Sequence, residues 1–140
     1  MKTNRILVID DNPNATRVTR LMLERTGRYE VQELNDPGQA LDFVRGFEPE
    51  LILLDVCMPE VEGSVVAEKI NEAPGFANTP IVFLTCIVTP GEVGKNGTVI
   101  IGRHEYIAKP ARPEVLIGCV ERNLARRGRS SQTAEYISLH

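Results

Sequence analysis

Three aspartates, a threonine and a lysine stand at the ends of four short apolar runs, and their types suit the handling of a phosphoryl group. The runs are Ile6–Ile9 ending at Asp10-Asp11, Leu51–Leu54 ending at Asp55, Ile81–Leu84 ending at Thr85, and Tyr106–Ala108 ending at Lys109-Pro110. Carboxylates held close together repel one another, and a divalent cation is the usual physical remedy. An all-oxygen set suits Mg²⁺, with Mn²⁺ a second choice, rather than zinc. A carboxylate can act as nucleophile, and an ammonium can hold a phosphoryl oxygen as a point charge. Taken singly, each residue also has an ordinary role. Asp10 and Asp11 can cap a helix, Asp55 can open the turn before Met58-Pro59, Thr85 can be a simple β-former and Lys109 a solvated surface lysine. Their shared placement at the ends of apolar runs favours the chemistry.

That placement requires a particular architecture. Apolar runs of four to six residues bounded by turn formers read as strands buried on both faces, which belong to parallel sheets. In an open parallel sheet the functional crevice lies beyond the carboxyl ends of the strands. The spacing predicts strands at 5–10, 29–34, 51–55, 81–85 and about 105–108. Between them, Pro13 opens a first helix that continues through Val18, Leu21 and Met22 to Gly27. Asp36-Pro37 caps a second, with Ala40, Leu41 and Val44 as its stripe. A third runs from Gly63 to Ala73, and Arg112-Pro113-Glu114 begins a last helix with Leu116, Ile117, Val120 and Leu124 on one face. The Lys109-Pro110 peptide is expected to be cis, which would fix the lysine's direction. Strands alternating with helices over short links predict an α/β fold with right-handed crossovers.

Residues 87–103 resist this scheme. Gly91, Gly94, Gly97 and Gly102 each cost a helix roughly 1 kcal/mol relative to alanine. Thr98-Val99-Ile100-Ile101 is β-branched throughout and stiff at χ1. Over 90–102 we expect a loop or single turn, then an extended piece that covers the core where a helix would pack. Past Leu124 the sequence is polar and patternless, predicting a domain over 1–127 and a polar C-terminal tail over 128–140 that is frayed or ordered only by contacts.

The bulk properties narrow the class. A chain of 140 residues suits one domain with an ordinary hydrophobic core. A net charge of −3 and a pI near 5.4 give no electrostatic footprint for nucleic acid, so no direct nucleic-acid binding is expected. No apolar run approaches membrane-spanning length, and no secretory signal is expected ahead of the first strand. Cys57, Cys86 and Cys119 are odd in number without a C-x-x-C spacing, as in reduced proteins, so a cytoplasmic location is expected. His104 and His140 have no partners at ligand spacing and read as bystanders.

With these residues in place, the chain resembles the receiver domains of two-component response regulators. The resemblance rests on Asp10-Asp11, Asp55 within Asp55-Val-Cys-Met-Pro-Glu-Val-Glu-Gly63, Thr85, Tyr106 and Lys109-Pro110, and it covers residues 5–125. It implies a flavodoxin-like, doubly wound, five-stranded parallel sheet of order 2-1-3-4-5, here with the fourth helix short, irregular or missing. It further implies that Asp55 is the phosphoacceptor. Asp10, Asp11, Asp55 and the backbone carbonyl of Cys57 would hold Mg²⁺. Thr85 and Lys109 would contact the phosphoryl group, and Thr85 with Tyr106 would form the conformational switch. The implied partners are a sensor histidine kinase or histidine phosphotransfer protein and a downstream protein. Such a domain is not an enzyme in the ordinary sense, since it catalyses only its own phosphorylation and slow dephosphorylation.

Two features depart from the family pattern. Cys86 stands where alanine or glycine is usual, and the Gly-rich 87–103 segment replaces the usual fourth helix. Three alternatives remain open at this point. A haloacid-dehalogenase-like phosphatase or phosphotransferase would carry Asp-x-Asp, but position 12 is Asn. A flavodoxin-like nucleotide module would need a Gly-x-Gly-x-x-Gly or Walker A run, which is absent. A pseudo-receiver would keep the fold as an interaction module without phosphorylation.

Overall fold

The computed structural model describes residues 3–56, 63–86, 94, 97–101 and 104–139, with side chains up to residue 127. Among the described residues, six strands and four α-helices follow one another as β1 (Asn4–Ile9), α1 (Pro13–Glu24), β2 (Tyr29–Leu34), α2 (Ala40–Phe47), β3 (Leu51–Asp55), α3 (Gly63–Glu72), β4 (Ile81–Thr85), β5 (Thr98–Ile101), β6 (His104–Ala108) and α4 (Pro113–Leu139). They form one sheet of order β2-β1-β3-β4-β6-β5. The five strands expected from sequence run parallel in the expected order.

The sheet separates two apolar layers, because successive side chains on a strand point to opposite faces. Ile6, Val8, Leu53, Val82, Leu84 and Ile107 meet Leu23 of α1 and Leu116, Cys119 and Val120 of α4. Leu7, Ile9, Ile52, Leu54, Ile81 and Phe83 meet Ala40 and Val44 of α2 and Val66, Ala67 and Ile70 of α3. β3 and β4 are buried at every position, as their unbroken apolar runs require. The helix starts also follow the sequence. Asn12 caps α1 ahead of Pro13, and Asp36 accepts from Gly38 N at the head of a 3-10 turn, Pro37–Gln39, that leads into α2.

Three expectations need correction. The sheet has six strands, not five, because Thr98–Ile101 pairs antiparallel with β6 instead of lying over the core. β-branched residues favour an extended backbone, and the outer edge of β6 offers unpaired N–H and C=O groups to one. The register matches Ile101 with His104, which leaves only Gly102 and Arg103 between the strands, a hairpin spacing. The fourth helix is therefore replaced over 98–101 by a strand. Most of 87–97, where a loop or turn was expected, lies outside the described residues. Finally, the α4 backbone continues beyond Leu124 to Leu139, where the polar composition led us to expect a tail frayed or ordered only by contacts.

The reversal at β5 changes the chain's path. β4 ends at the C-terminal edge of the sheet, with Thr85 beside Ala108, and β5 begins at that same edge, with Thr98 beside Ile107. Gly97 introduces β5 at φ +79°, and a Cβ there would lie 2.8 Å from Val115 Cγ2. Only glycine meets both conditions without displacing α4.

Candidate functional site

The carboxyl ends of β1, β3, β4 and β6 converge. Asp10, Asp11 and Asp55 each bring a carboxylate oxygen within 4.8 Å of the others. Asp10 and Asp55 are 3% and 4% exposed, whereas Asp11 is open to solvent. Lys109 reaches across from β6, its Nζ 3.1 Å from Asp10 Oδ2 and 3.3 Å from Asp55 Oδ1. Burial works against the lysine's charge, but the hydrogen bond and charge of Asp10, and then those of Asp55, hold its pKa above the ordinary value. The Lys109-Pro110 peptide is cis, as expected. Lys109 N donates to Thr85 O at 2.8 Å, which joins the ends of β4 and β6, and Thr85 itself is 1% exposed.

Asp10 is held at every polar atom. Its N–H donates to Leu34 O at 3.1 Å, and its carbonyl accepts from Asn35 Nδ2 at 2.8 Å. Oδ1 accepts from the backbone N–H of Asn12 at 3.0 Å, while Oδ2 faces Lys109. Asp55 is braced differently. Gly63, at the head of α3, lies so close that a Cβ there would meet Val56 Cα at 2.8 Å and Asp55 O at 2.9 Å. The glycine thus lets α3 seat directly against the phosphoacceptor candidate's own backbone.

The donor set fits a divalent cation. Three carboxylates and one ammonium leave two net negative charges in one cluster, and the oxygens are hard ligands of the kind Mg²⁺ takes. Cys57, whose carbonyl was expected to complete the set, lies outside the described residues.

Tyr106 sits apart from this cluster, on the α3 side of β6. Its ring stacks on Phe83 with centroids 4.8 Å apart, and His104 packs edge-on to the same ring at 4.9 Å. Both rings lie against Phe83, which is 1% exposed and shares its layer with Val66, Ala67 and Ile70 of α3. His104 is a packing residue, in keeping with its reading as a bystander to the chemistry.

Sequence reasoning passed over Glu105, which is 5% exposed on the opposite face of β6. It accepts from Thr98 Oγ1 of β5 at 2.5 Å, from Arg122 Nη2 at 2.7 Å and from Asn123 Nδ2 at 3.1 Å, with Arg126 Nη2 at 3.3 Å. Burial raises its pKa, but the hydrogen bonds from Thr98, Arg122 and Asn123 and the charge of Arg122 outweigh it and bring the value down to about 2. The available signal was a carboxylate sharing the inward face of a strand with Ile107, set against arginines four residues apart on the last helix.

The fold and the acidic cluster define a receiver, and the comparisons agree. The family model for the response regulator receiver domain matches residues 6–121, and the chain belongs to that family. The role of the family is to accept a phosphoryl group in two-component signalling, and its members bind Mg²⁺ in an acidic pocket. The chain is similar to the DNA-binding dual master transcriptional regulator RpaA of Synechocystis, at 33% identity over 96% of this chain and 55% of that one. It is also similar to the CAI-1 autoinducer sensor kinase/phosphatase CqsS of Vibrio cholerae, at 34% identity over 83% of this chain and 17% of that protein. Among solved structures, a CheY-like receiver domain protein from Methanospirillum hungatei superposes with a TM-score of 0.74 over 92% of this chain and 99% of that one, at 23% identity. The chain spans about half the length of the first curated relatives it matches. Because one of these is named as DNA-binding, the expectation of no nucleic-acid binding, drawn from net charge alone, does not extend to a whole protein of this kind. Among the described residues no helix is long and apolar enough to cross a membrane.

Proposed function

We propose that Asp55 is the phosphoacceptor of this receiver, taking the phosphoryl group from a phosphohistidine of a sensor kinase or phosphotransfer protein. The observation that carries the reading is the convergence of Asp10, Asp11, Asp55 and Lys109 on one sheet edge. A carboxylate oxygen of Asp55 attacks phosphorus, a P–O bond forms as the P–N bond to the donor imidazole breaks, and the imidazole leaves with the bonding pair. Asp10, Asp11 and Asp55 would hold the divalent cation, which supplies charge neutralisation on the transferred oxygens. Lys109, released from part of its bond to Asp55, turns its ammonium to a phosphoryl oxygen, and the Thr85 hydroxyl donates to another. Tyr106 responds through the stack on Phe83, a population shift driven by contacts present only after transfer. The chain turns over nothing beyond its own phosphorylation and slow hydrolysis, and it works in the cytoplasm on a downstream protein. The donor would approach over α1, which leaves the acidic loop with Val18 and Leu21 half exposed.

Incubation with acetyl phosphate and Mg²⁺ should add one acid-stable, base-labile phosphoryl group, read by mass spectrometry. Asp55→Asn, or chelation of the metal, should abolish it. Undiminished phosphorylation of Asp55→Asn overturns the assignment, and no phosphorylation of the parent chain favours the pseudo-receiver.

A further inference from the structure

A chain of polar contacts runs from the body of α1 to the backbone of Asp10, outside the acidic cluster itself. Asn35, just after β2, uses its side-chain NH₂ twice, donating to Asp10 O at 2.8 Å and to Thr16 Oγ1 at 3.0 Å. Thr16 is fully buried, and its hydroxyl lies 2.7 Å from Glu33 Oε1 of β2. The hydroxyl has one proton, so it accepts from Asn35 and donates to the carboxylate. The same oxygen lies 3.1 Å from Pro13 O, in the first turn of α1. Glu33 is in turn fixed by Arg20, whose Nε lies 2.6 Å from Oε2 as an ion pair, although the N–H is not aligned for a hydrogen bond.

We propose that Thr16 and Asn35 are positioning residues for the metal site, setting the backbone of Asp10-Asp11 so that both carboxylates meet Asp55. The inference rests on the proposed function, because it concerns the same acidic site. The geometry supports it on three counts. Asn35 grips Asp10 by its carbonyl, the atom that links it to Asp11, so the contact controls the direction in which the next side chain leaves. Asp11 is exposed and takes its position from the chain on either side of it. Thr16 then fixes Asn35, since an exposed amide alone would exchange its partners with water, whereas a buried hydroxyl cannot. Mg²⁺ tolerates little departure from octahedral geometry, so a small rotation of the Asp10-Asp11 peptide is felt in affinity.

The test is a Mg²⁺ titration of the unphosphorylated full chain, followed by the backbone amide shifts of Asp10, Asp11 and Asn12, with thermal unfolding recorded in chelator. Thr16→Val keeps the buried volume and loses the hydroxyl. Its Mg²⁺ dissociation constant should rise about tenfold, the low end of what the hydrogen-bond partners of a metal ligand contribute. Thr16→Ser, which restores the oxygen, should return to the parent value within about twofold. Asn35→Ala, at an exposed position that does not endanger folding, should weaken binding by a comparable factor. Parent affinity in Thr16→Val or in Asn35→Ala overturns the proposal, as does failure of Thr16→Ser to rescue. A parent chain with no Mg²⁺-dependent shifts at all would instead remove the metal reading beneath it, so the two failures are distinguishable.

Discussion

Lys109 is the residue on which the resting site depends. Its ammonium is the described cation shared by two buried carboxylates, and a third stands beside them. Removing one partner of a buried ion pair is costly because it strands the other. Lys109→Met should therefore lower stability in chelator by about 1–3 kcal/mol, discounted from the fully buried case because the lysine side chain is 29% exposed. For a domain of this size that is a fall of several degrees in Tm. Mg²⁺ then supplies the missing positive charge, so it should raise the Tm of Lys109→Met more than that of the parent. Calorimetry with and without the metal checks this, and equal metal effects in the two chains count against it. The residues of this cluster were legible in the sequence because each directly ends an apolar run. Thr16, Asn35 and Glu105 were not, because each has partners 17 to 25 residues away that only the folded register brings together.

Among the described elements, β5 is the one that the expected five-stranded order lacks, and Glu105 ties it to α4. The carboxylate binds Thr98 of β5 on one side and Arg122, Asn123 and Arg126 of α4 on the other. Its pKa near 2 lies below the ordinary value of 4.5, so the charged form stabilises the fold. That contribution is complete above about pH 4.5 and is lost as pH falls from there through 2, amounting to on the order of 3 kcal/mol. Glu105→Gln should lack this share of the acid sensitivity. The difference in unfolding free energy between parent and variant should shrink by that amount between pH 5 and pH 2, measured by urea denaturation. A constant difference would show that the carboxylate's charge is not what holds β5 and α4. Composition announced an extended backbone over 98–101 but not its neighbour. Propensity describes one chain segment, whereas pairing depends on which edge is free, and here the outer edge of β6 takes the strand.

For the whole molecule, stability resides in the two layers either side of the sheet. α4 contributes Leu116, Cys119 and Val120 to the buried layer and packs Leu124 against it, and Arg127 pairs with Glu50 at 3.7 Å. A chain ending at Arg127 keeps all of these. It should unfold within about 2 °C of the parent, because the described contacts of α4 with the rest of the domain all precede residue 128. It should also accept a phosphoryl group at the parent rate. A loss of many degrees would move the domain boundary past 127. Strand positions and the acidic edge were readable because buried strands and their terminal residues are local patterns, whereas the strand order came from the family resemblance. The length of the α4 backbone was not, because a polar sequence past Leu124 carries no apolar stripe from which to read it.

The return of the chain to the edge from which it left has a consequence for how this protein can vary. An ordinary crossover must carry the backbone the length of a strand, about 16 Å for five residues, so its length is tied to the sheet. Thr85 and Thr98 are instead two strand spacings apart on one edge, about 10 Å, with twelve residues between them. Joining neighbouring anchors costs closure entropy that grows only logarithmically, about 0.6 kcal/mol for each doubling of length. Insertions and deletions between these anchors are thus nearly free of topological penalty. Homologous chains sharing the β5–β6 hairpin should therefore differ most in length at this point, directly beside the acidic cluster.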